Sequence, residues 1–222
     1  IECSSMSMYY LGDSFDIHGG GLDLMFPHHE NECAQSEGLT KRNLSNIWMH
    51  VGFVEINKLK MSKSFNNFVT IGSILEKYNC EILRYFILSN HYRGPLEFSF
   101  NKLNLSKKIL MKFYIHFYNK FYFSFVAKNT IFEKRFFFSM HNDFNIVECF
   151  AVFFDLLYES QNIKKFSFYR YFSFIKLLKI LGNSIGFFYL KFDVFLENNF
   201  FLSDSEINDL ILERLTFKKN CE

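Results

Sequence analysis

Phe15-Asp16-Ile17-His18-Gly19-Gly20-Gly21 alternates apolar and polar side chains over its first four residues, then runs into three glycines. The alternation predicts a short strand, because successive side chains of a strand point to opposite faces. The glycines predict a turn that approaches a ligand closely, since no Cβ intervenes and positive φ is open to them. The spacing is not the G-x-G-x-x-G of dinucleotide sites. Asp23, two residues on, is a candidate acceptor for sugar hydroxyls. Upstream, Ile1-Glu2-Cys3 predicts the end of a strand, followed by a short helix through Met6 to Leu11 that Gly12-Asp13 closes.

Downstream, Pro27 predicts the first position of a helix running through Ser36. His28 and Glu32 are four apart and project from one face, as two donors to one metal must. His29 and Cys33 repeat that spacing on the adjacent face, so spacing does not choose between the pairs. Cys3 adds a thiolate, and a Cys, His, Glu set suits zinc. Asn46 to Ile56 predicts one or two buried strands joined at Gly52. Lys60-Met61-Ser62-Lys63-Ser64 then predicts a loop whose lysines and hydroxyls suit a polyphosphate. Ile71 to Tyr78 and Glu81 to Leu88 have helical spacing, with Leu75, Leu83 and Phe86 as core candidates. Strands alternating with helices predict a three-layer α/β domain.

The 222 residues carry a formal charge of +2, which gives no strong overall attraction to nucleic acid. Aromatic content is 20%, and the 32 Phe fall mostly after residue 100 whereas the glycines fall mostly before it. That shift predicts a domain boundary there, giving domains 1–100 and 101–222. Five scattered cysteines form no disulfide framework, so a reducing cytoplasm is expected. No 18-residue apolar run exists, so no membrane span is expected. The chain opens on Ile rather than Met, and its first residue is read as an internal cut. Beyond residue 100, helical patterns cover 103–125, 145–162, 167–181 and 205–217, with Asp143 and Asp204 or Ser205 as candidate N-caps. His116 and His141 are isolated and read as structural.

Several stretches together resemble cysteinyl-tRNA synthetase, a class I aminoacyl-tRNA synthetase. They are Ile1-Glu2-Cys3-Ser4, Phe15 to Gly21, Asp23-Leu24, Phe26-Pro27-His28-His29-Glu30-Asn31-Glu32, Ala34-Gln35-Ser36, Trp48-Met49-His50 and Arg84-Tyr85-Phe86. Lys60 to Ser64 resembles the KMSKS signature of the class, and His91-Tyr92-Arg93 follows at the family's usual place. The resemblance thins after residue 100, where Asp143-Phe144-Asn145 and Ile207 to Arg214 still carry it. It implies the C-terminal half of a Rossmann-type class I catalytic domain followed by an α-helical bundle domain that carries the tRNA stem and anticodon arm.

By that resemblance Cys3, His28 and Glu32 are ligands of one zinc ion, whose fourth ligand falls in a motif outside this sequence. Gly19, Gly20, Gly21 and Asp23 approach the adenosine and ribose of ATP, which is used with Mg2+. His18 lies near the reacting end of cysteine, and Lys60 and Lys63 stabilise the phosphates as catalytic residues. The implied partners are tRNA(Cys), L-cysteine and ATP, the implied state is a monomer, and the implied activity is ATP-dependent cysteine activation with transfer to tRNA. The alternative is a non-catalytic tRNA- or zinc-binding remnant, because the HIGH-type signature is not in this sequence and the fragment alone is expected to be inactive. Lys107-Lys108, Lys164-Lys165 and Lys218-Lys219 are read first as solvated faces and second as contacts to tRNA phosphates. Phe65-Asn66-Asn67 replaces the family's Leu-Gly-Asn after the pentad, and Asn tolerates the positive φ that such a glycine serves.

Overall fold

Polar side chains fix where several of the helices begin, and a shared apolar core fixes how they pack. The computed structural model describes residues 1–62, 66–117, 130–164 and 167–197. The first part runs α1 (Glu2–Leu11), β1 (Phe15–Gly21), α2 (Glu30–Thr40), β2 (Ser45–Val51), β3 (Val54–Ile56) and β4 (Leu59–Lys60). Then come α3 (Ile71–Leu75), α4 (Cys80–Leu88), β5 (Leu96–Glu97), α5 (Phe100–Phe117), α6 (Ile131–His141), α7 (Ile146–Lys164), α8 (Phe168–Ser184) and α9 (Phe192–Glu197). Thr70, Asn79, Thr130 and Ser167 each accept a first-turn N–H and so cap α3, α4, α6 and α8.

β1 and β2 form a parallel pair in which Ile17 faces Ile47, His18 faces Trp48 and Gly20 faces His50. The period of two sorts the pair into unlike faces. His18, Gly20, Trp48 and His50 look towards His29 at the head of α2. Ile17, Ile47 and Val51 lie on the other face, exposed at 55%, 53% and 43%. Of the one or two strands expected around Gly52 there are two, but they are not buried, and the described residues show helices against one face of the first sheet only. The three glycines are strand rather than turn, because Met49, His50 and Val51 supply their ladder partners and none of them has positive φ.

Cys3 sits in the first turn of α1 instead of at a strand end. The helical hydrogen bonding already starts at Ile1, whose carbonyl accepts the Ser5 N–H at 2.9 Å, and Glu2 places an acid at the positive end of the helix. Phe26 is extended (φ −137°, ψ 133°) ahead of Pro27, as a residue before proline prefers, and the chain turns helical from there into α2. Lys41, left-handed at φ 58°, ends α2.

A second sheet has the order β4-β3-β5, antiparallel between β3 and β4 and parallel between β3 and β5. Asn57 and Lys58, both at positive φ (51° and 64°), form the tight β3–β4 turn, which matches the right-handed twist of the strands. Lys60 is thus a strand residue, and the loop begins only after it. Leu83 and Phe86 are buried as expected, but Leu75 is exposed and Ile74 takes its place in the core. On a helix as short as α3, an error of one residue rotates the chosen side chain by about 100°.

One apolar core runs from Ile74 to Phe195 and includes Leu103, Phe113, Phe153, Leu178 and Phe188. It crosses the composition change at residue 100 without a break, since α4 and α5 pack together. The helices expected over 145–162 and 167–181 are α7 and α8, and that over 103–125 is α5 as far as Phe117. The helix expected over 205–217, its caps, Lys165 and Lys218-Lys219 lie outside the described residues. Asp143 is no N-cap. Asn145 caps α7 instead, its Oδ1 accepting the Glu148 N–H at 3.2 Å, because the Asp143 carboxylate is engaged by Arg93. Glu81, buried in α4, holds three elements together. Its carboxylate accepts the Tyr114 hydroxyl (2.8 Å) from α5 and the N–H groups of Phe188 (3.1 Å) and Tyr189 (3.2 Å) ahead of α9.

Candidate functional site

The Sγ of Cys3 and one donor atom each of His28 and Glu32 all lie within 4.8 Å of one another. Three local facts bring them together. The first turn of α1 carries Cys3, the Pro27 turn aims His28, and the four-residue spacing stacks Glu32 beneath it. The Ser4 hydroxyl donates to Gln35 Oε1 at 2.8 Å and ties α1 to α2 beside the cluster. Cys33 joins no such group, and burial pushes its thiol up from the usual range. His18, His29 and Glu32 form a second, overlapping set that shares the same carboxylate.

Glu32 is the informative member. It is 3% exposed, and its Oε2 has no hydrogen-bond partner although His18 Nε2 lies 3.1 Å away, off the hydrogen-bonding direction. A buried carboxylate oxygen without a donor is costly, and a cation beside it removes the cost. Cys3, His28 and this buried carboxylate, with His28 Nε2 3.6 Å from Oε1, form a donor set that fits a borderline-soft divalent metal.

Around this centre stands a layer of rings that sequence reasoning did not assemble. His29 Nδ1 and His50 Nε2 share one hydrogen bond at 2.8 Å, so one of the two carries the proton. Burial, followed by the neighbouring His18, lowers the His29 pKa and favours the neutral ring. Trp48 lies 4.6 Å from the His18 ring, 5.1 Å from His29 and 6.1 Å from His50, nearly parallel to the last. The available signal was parity, since Trp48 and His50 share one face of β2 with their register partners His18 and Gly20. A side chain at Gly20 would drive its Cβ to 2.7 Å from His29 Cε1, which is why that position is open to glycine alone without displacing the ring.

The expected nucleotide residues meet at a second point. Lys60 Nζ donates to Asp23 Oδ2 at 2.6 Å across 37 residues of sequence and lies 4.5 Å over the Phe53 ring. That hydrogen bond holds the Asp23 carboxyl below its ordinary range. Both side chains are about half exposed, so the pair opens easily to a ligand. Gly21 and Asp23 are adjacent in space, and Gly19 lies against the Met49 carbonyl. Asn67 grips the base of the pentad, accepting the Ser62 N–H (2.9 Å) and donating to the Lys60 carbonyl (3.2 Å). Asn66 takes positive φ (52°), a conformation that Asn tolerates better than most residues. Lys63 lies outside the described residues.

Residues 1–108 match the family model described as tRNA synthetases class I (C) catalytic domain. A ternary complex of Agrobacterium radiobacter K84 agnB2 LeuRS with tRNA and LeuAMS shares the fold, at a TM-score of 0.61 and 16% identity over 75% of this chain and 25% of that one. Residues 1–108 are thus similar in sequence to a class I aminoacyl-tRNA synthetase catalytic domain, and the structural likeness is one of fold. Curated relatives are similar over nearly the whole chain. The cysteine–tRNA ligase of Acinetobacter baumannii (strain ATCC 17978) is 44% identical over 99% of this chain and 48% of its own length, and that of Nitrosomonas europaea is 42% identical over 99% and 49%. The chain is a homologue of the cysteine–tRNA ligases and spans about half the length of the curated relatives it matches. No helix among the described residues is long and apolar enough to cross a membrane.

Proposed function

We propose that this chain provides the metal-binding and KMSKS-bearing part of a cysteine–tRNA ligase, which activates L-cysteine with ATP and transfers it to tRNA(Cys). The observation that carries the proposal is the convergence of Cys3 and His28 on the buried Glu32 carboxylate, which keeps one oxygen without a hydrogen-bond donor. Zinc held by these three residues would offer a Lewis-acid position to the substrate's thiolate, for which serine's hydroxyl is a poor substitute. His18, packed between Glu32 and Trp48, faces the same position and limits the room beside it.

The cysteine carboxylate then attacks the α-phosphorus of ATP, and pyrophosphate leaves. Gly19 to Gly21 let adenosine approach the strand backbone, and Asp23 receives the ribose hydroxyls once Lys60 has left it. Lys60 and Lys63 neutralise charge as it builds on the phosphates, alongside the nucleotide's Mg2+. No covalent enzyme intermediate is needed, so catalysis rests on placement and charge. The terminal adenosine of tRNA takes cysteine in the second step. ATP, tRNA and free cysteine place this chemistry in the cytoplasm.

Cobalt loading of the full 222-residue chain tests the centre of the proposal. A thiolate-to-metal absorption band is expected, and it should disappear in Cys3→Ser and weaken in His28→Ala. Tight stoichiometric uptake that His28→Ala leaves unchanged refutes the ligand assignment.

A further inference from the structure

His91-Tyr92-Arg93 and Asp143-Phe144-Asn145 are family-like stretches to which neither the metal centre nor the lysine pentad gives a role, and the fold brings them into contact. Arg93 Nε and Nη2 donate to the Asp143 carboxylate at 2.6 and 3.1 Å, and the Tyr92 hydroxyl donates to it at 2.6 Å. His91 Nε2 stands 3.9 Å from the same group, and the Arg93 guanidinium lies over the Tyr92 ring at 5.2 Å. Asp143 occupies the tight turn between α6 and α7 at φ 53°, a conformation that Asp tolerates better than most residues.

The held loop is wedged against the junction of the two sheets. The Tyr92 carbonyl accepts the Gly52 N–H at 2.8 Å, and a Cβ at Gly52 would collide with the Gly94 backbone. Beyond the wedge, residues 96 and 98 lie along β3, with Leu96 N–H donating to Phe53 (2.8 Å) and Phe98 N–H to Glu55 (2.7 Å). Gly52 is two residues from His50, the partner of His29, and Glu55 is the register partner of Lys60. The turn between α6 and α7 is thereby joined, bond by bond, to both halves of the candidate site.

We propose that Asp143 is a positioning residue, whose carboxylate clamps residues 91–94 against Gly52 and so sets where His50 and Lys60 stand. The proposal rests on the ligase reading of that site. It also gives the helical part a physical route to the site, since whatever displaces the α6–α7 turn displaces the wedge.

Trp48, the only tryptophan in the chain, reads the outcome because its ring stacks on His50. In the full chain, Asp143→Asn and Arg93→Gln should each shift Trp48 emission to longer wavelength and raise its quenching by acrylamide, while far-UV circular dichroism stays as in the wild type. The double variant should move no further than either single one, as partners in one contact must. Unchanged emission in folded Asp143→Asn overturns the proposal, as does an additive double variant or a loss of helix signal in both singles. Absence of cobalt uptake through Cys3 and His28 overturns the ligase reading instead, and leaves the Trp48 response to judge the clamp alone.

Discussion

Replacing Glu81 by Ala should destabilise the chain more than any surface change in it. The buried carboxylate is the acceptor for one hydroxyl and two backbone N–H groups, from Tyr114, Phe188 and Tyr189. Burial, followed by the charge of Glu81, raises the Tyr114 pKa well above the ordinary phenol range, so its hydroxyl stays protonated and donates. Truncation leaves two donors inside the core and one at its edge without partners, at about 1–3 kcal/mol each, or roughly 3–9 kcal/mol in total. For a chain of this size each kcal/mol lowers Tm by about 2–4 °C, so a fall on the order of 10 °C is expected. Glu81→Gln keeps one acceptor and turns an amide NH2 towards a donor, which should cost about half as much. Tyr114→Phe removes only one donor, and combining it with Glu81→Ala should cost less than the sum of the two changes. Differential scanning calorimetry of the full chain gives all four values. A Glu81→Ala melt within about 1 °C of wild type would show that the clamp does not hold the helices as described.

Other expectations concern the site. In an intact ligase containing this sequence, Lys63→Ala should slow cysteine-dependent ATP–pyrophosphate exchange by ~100-fold, the usual loss for one preorganised charge contact; a near-normal rate removes the role proposed for Lys63. Gly20→Ala should push the His29 ring off His50 and destabilise by about 1–3 kcal/mol, seen as a lower melt together with altered Trp48 emission. Arg93 and Tyr92 depress the Asp143 carboxyl from 3.8 to about 2. The clamp's contribution to stability should therefore be complete above pH 3.8 and disappear as the pH falls through about 2, and carboxyl NMR titration of Asp143 checks it.

Local rules made much of the architecture legible. Pro27 after an extended Phe26, the two strands around Gly52 and the positive φ of Asn66 follow from the preferences of single residues, which the sequence displays directly. The metal candidates were half legible, since spacing offered His28/Glu32 and His29/Cys33 equally. The structure separates the pairs by packing, for His29 is turned into the ring layer against His50. What failed were the decisions taken at a distance. Cys3 belongs to a helix that begins before any apolar period can be read. Asp143 has the chemistry of an N-cap but is claimed by Arg93, 50 residues away. α6 escaped because Phe136-Phe137-Phe138 has neither a helical nor a strand period, and only its Thr130 cap marks the start.

The pairing of β1 with β2 carries a consequence for how such a sequence can change. His18 and Gly20 of one strand and Trp48 and His50 of the other, all even-numbered, look into the ring layer, whereas Ile17, Ile47 and Val51 look away, so this part of the site is written in one parity of the sequence. Losing or gaining a single residue inside 45–51 would exchange the sets beyond that point, turning Met49 and Val51 towards His29 and carrying His50 to the apolar side. The same change in the loop at 41–44 would be absorbed before β2 begins. Length variation should therefore be tolerated on one side of Ser45 and lethal to the site on the other, however conservative the inserted residue.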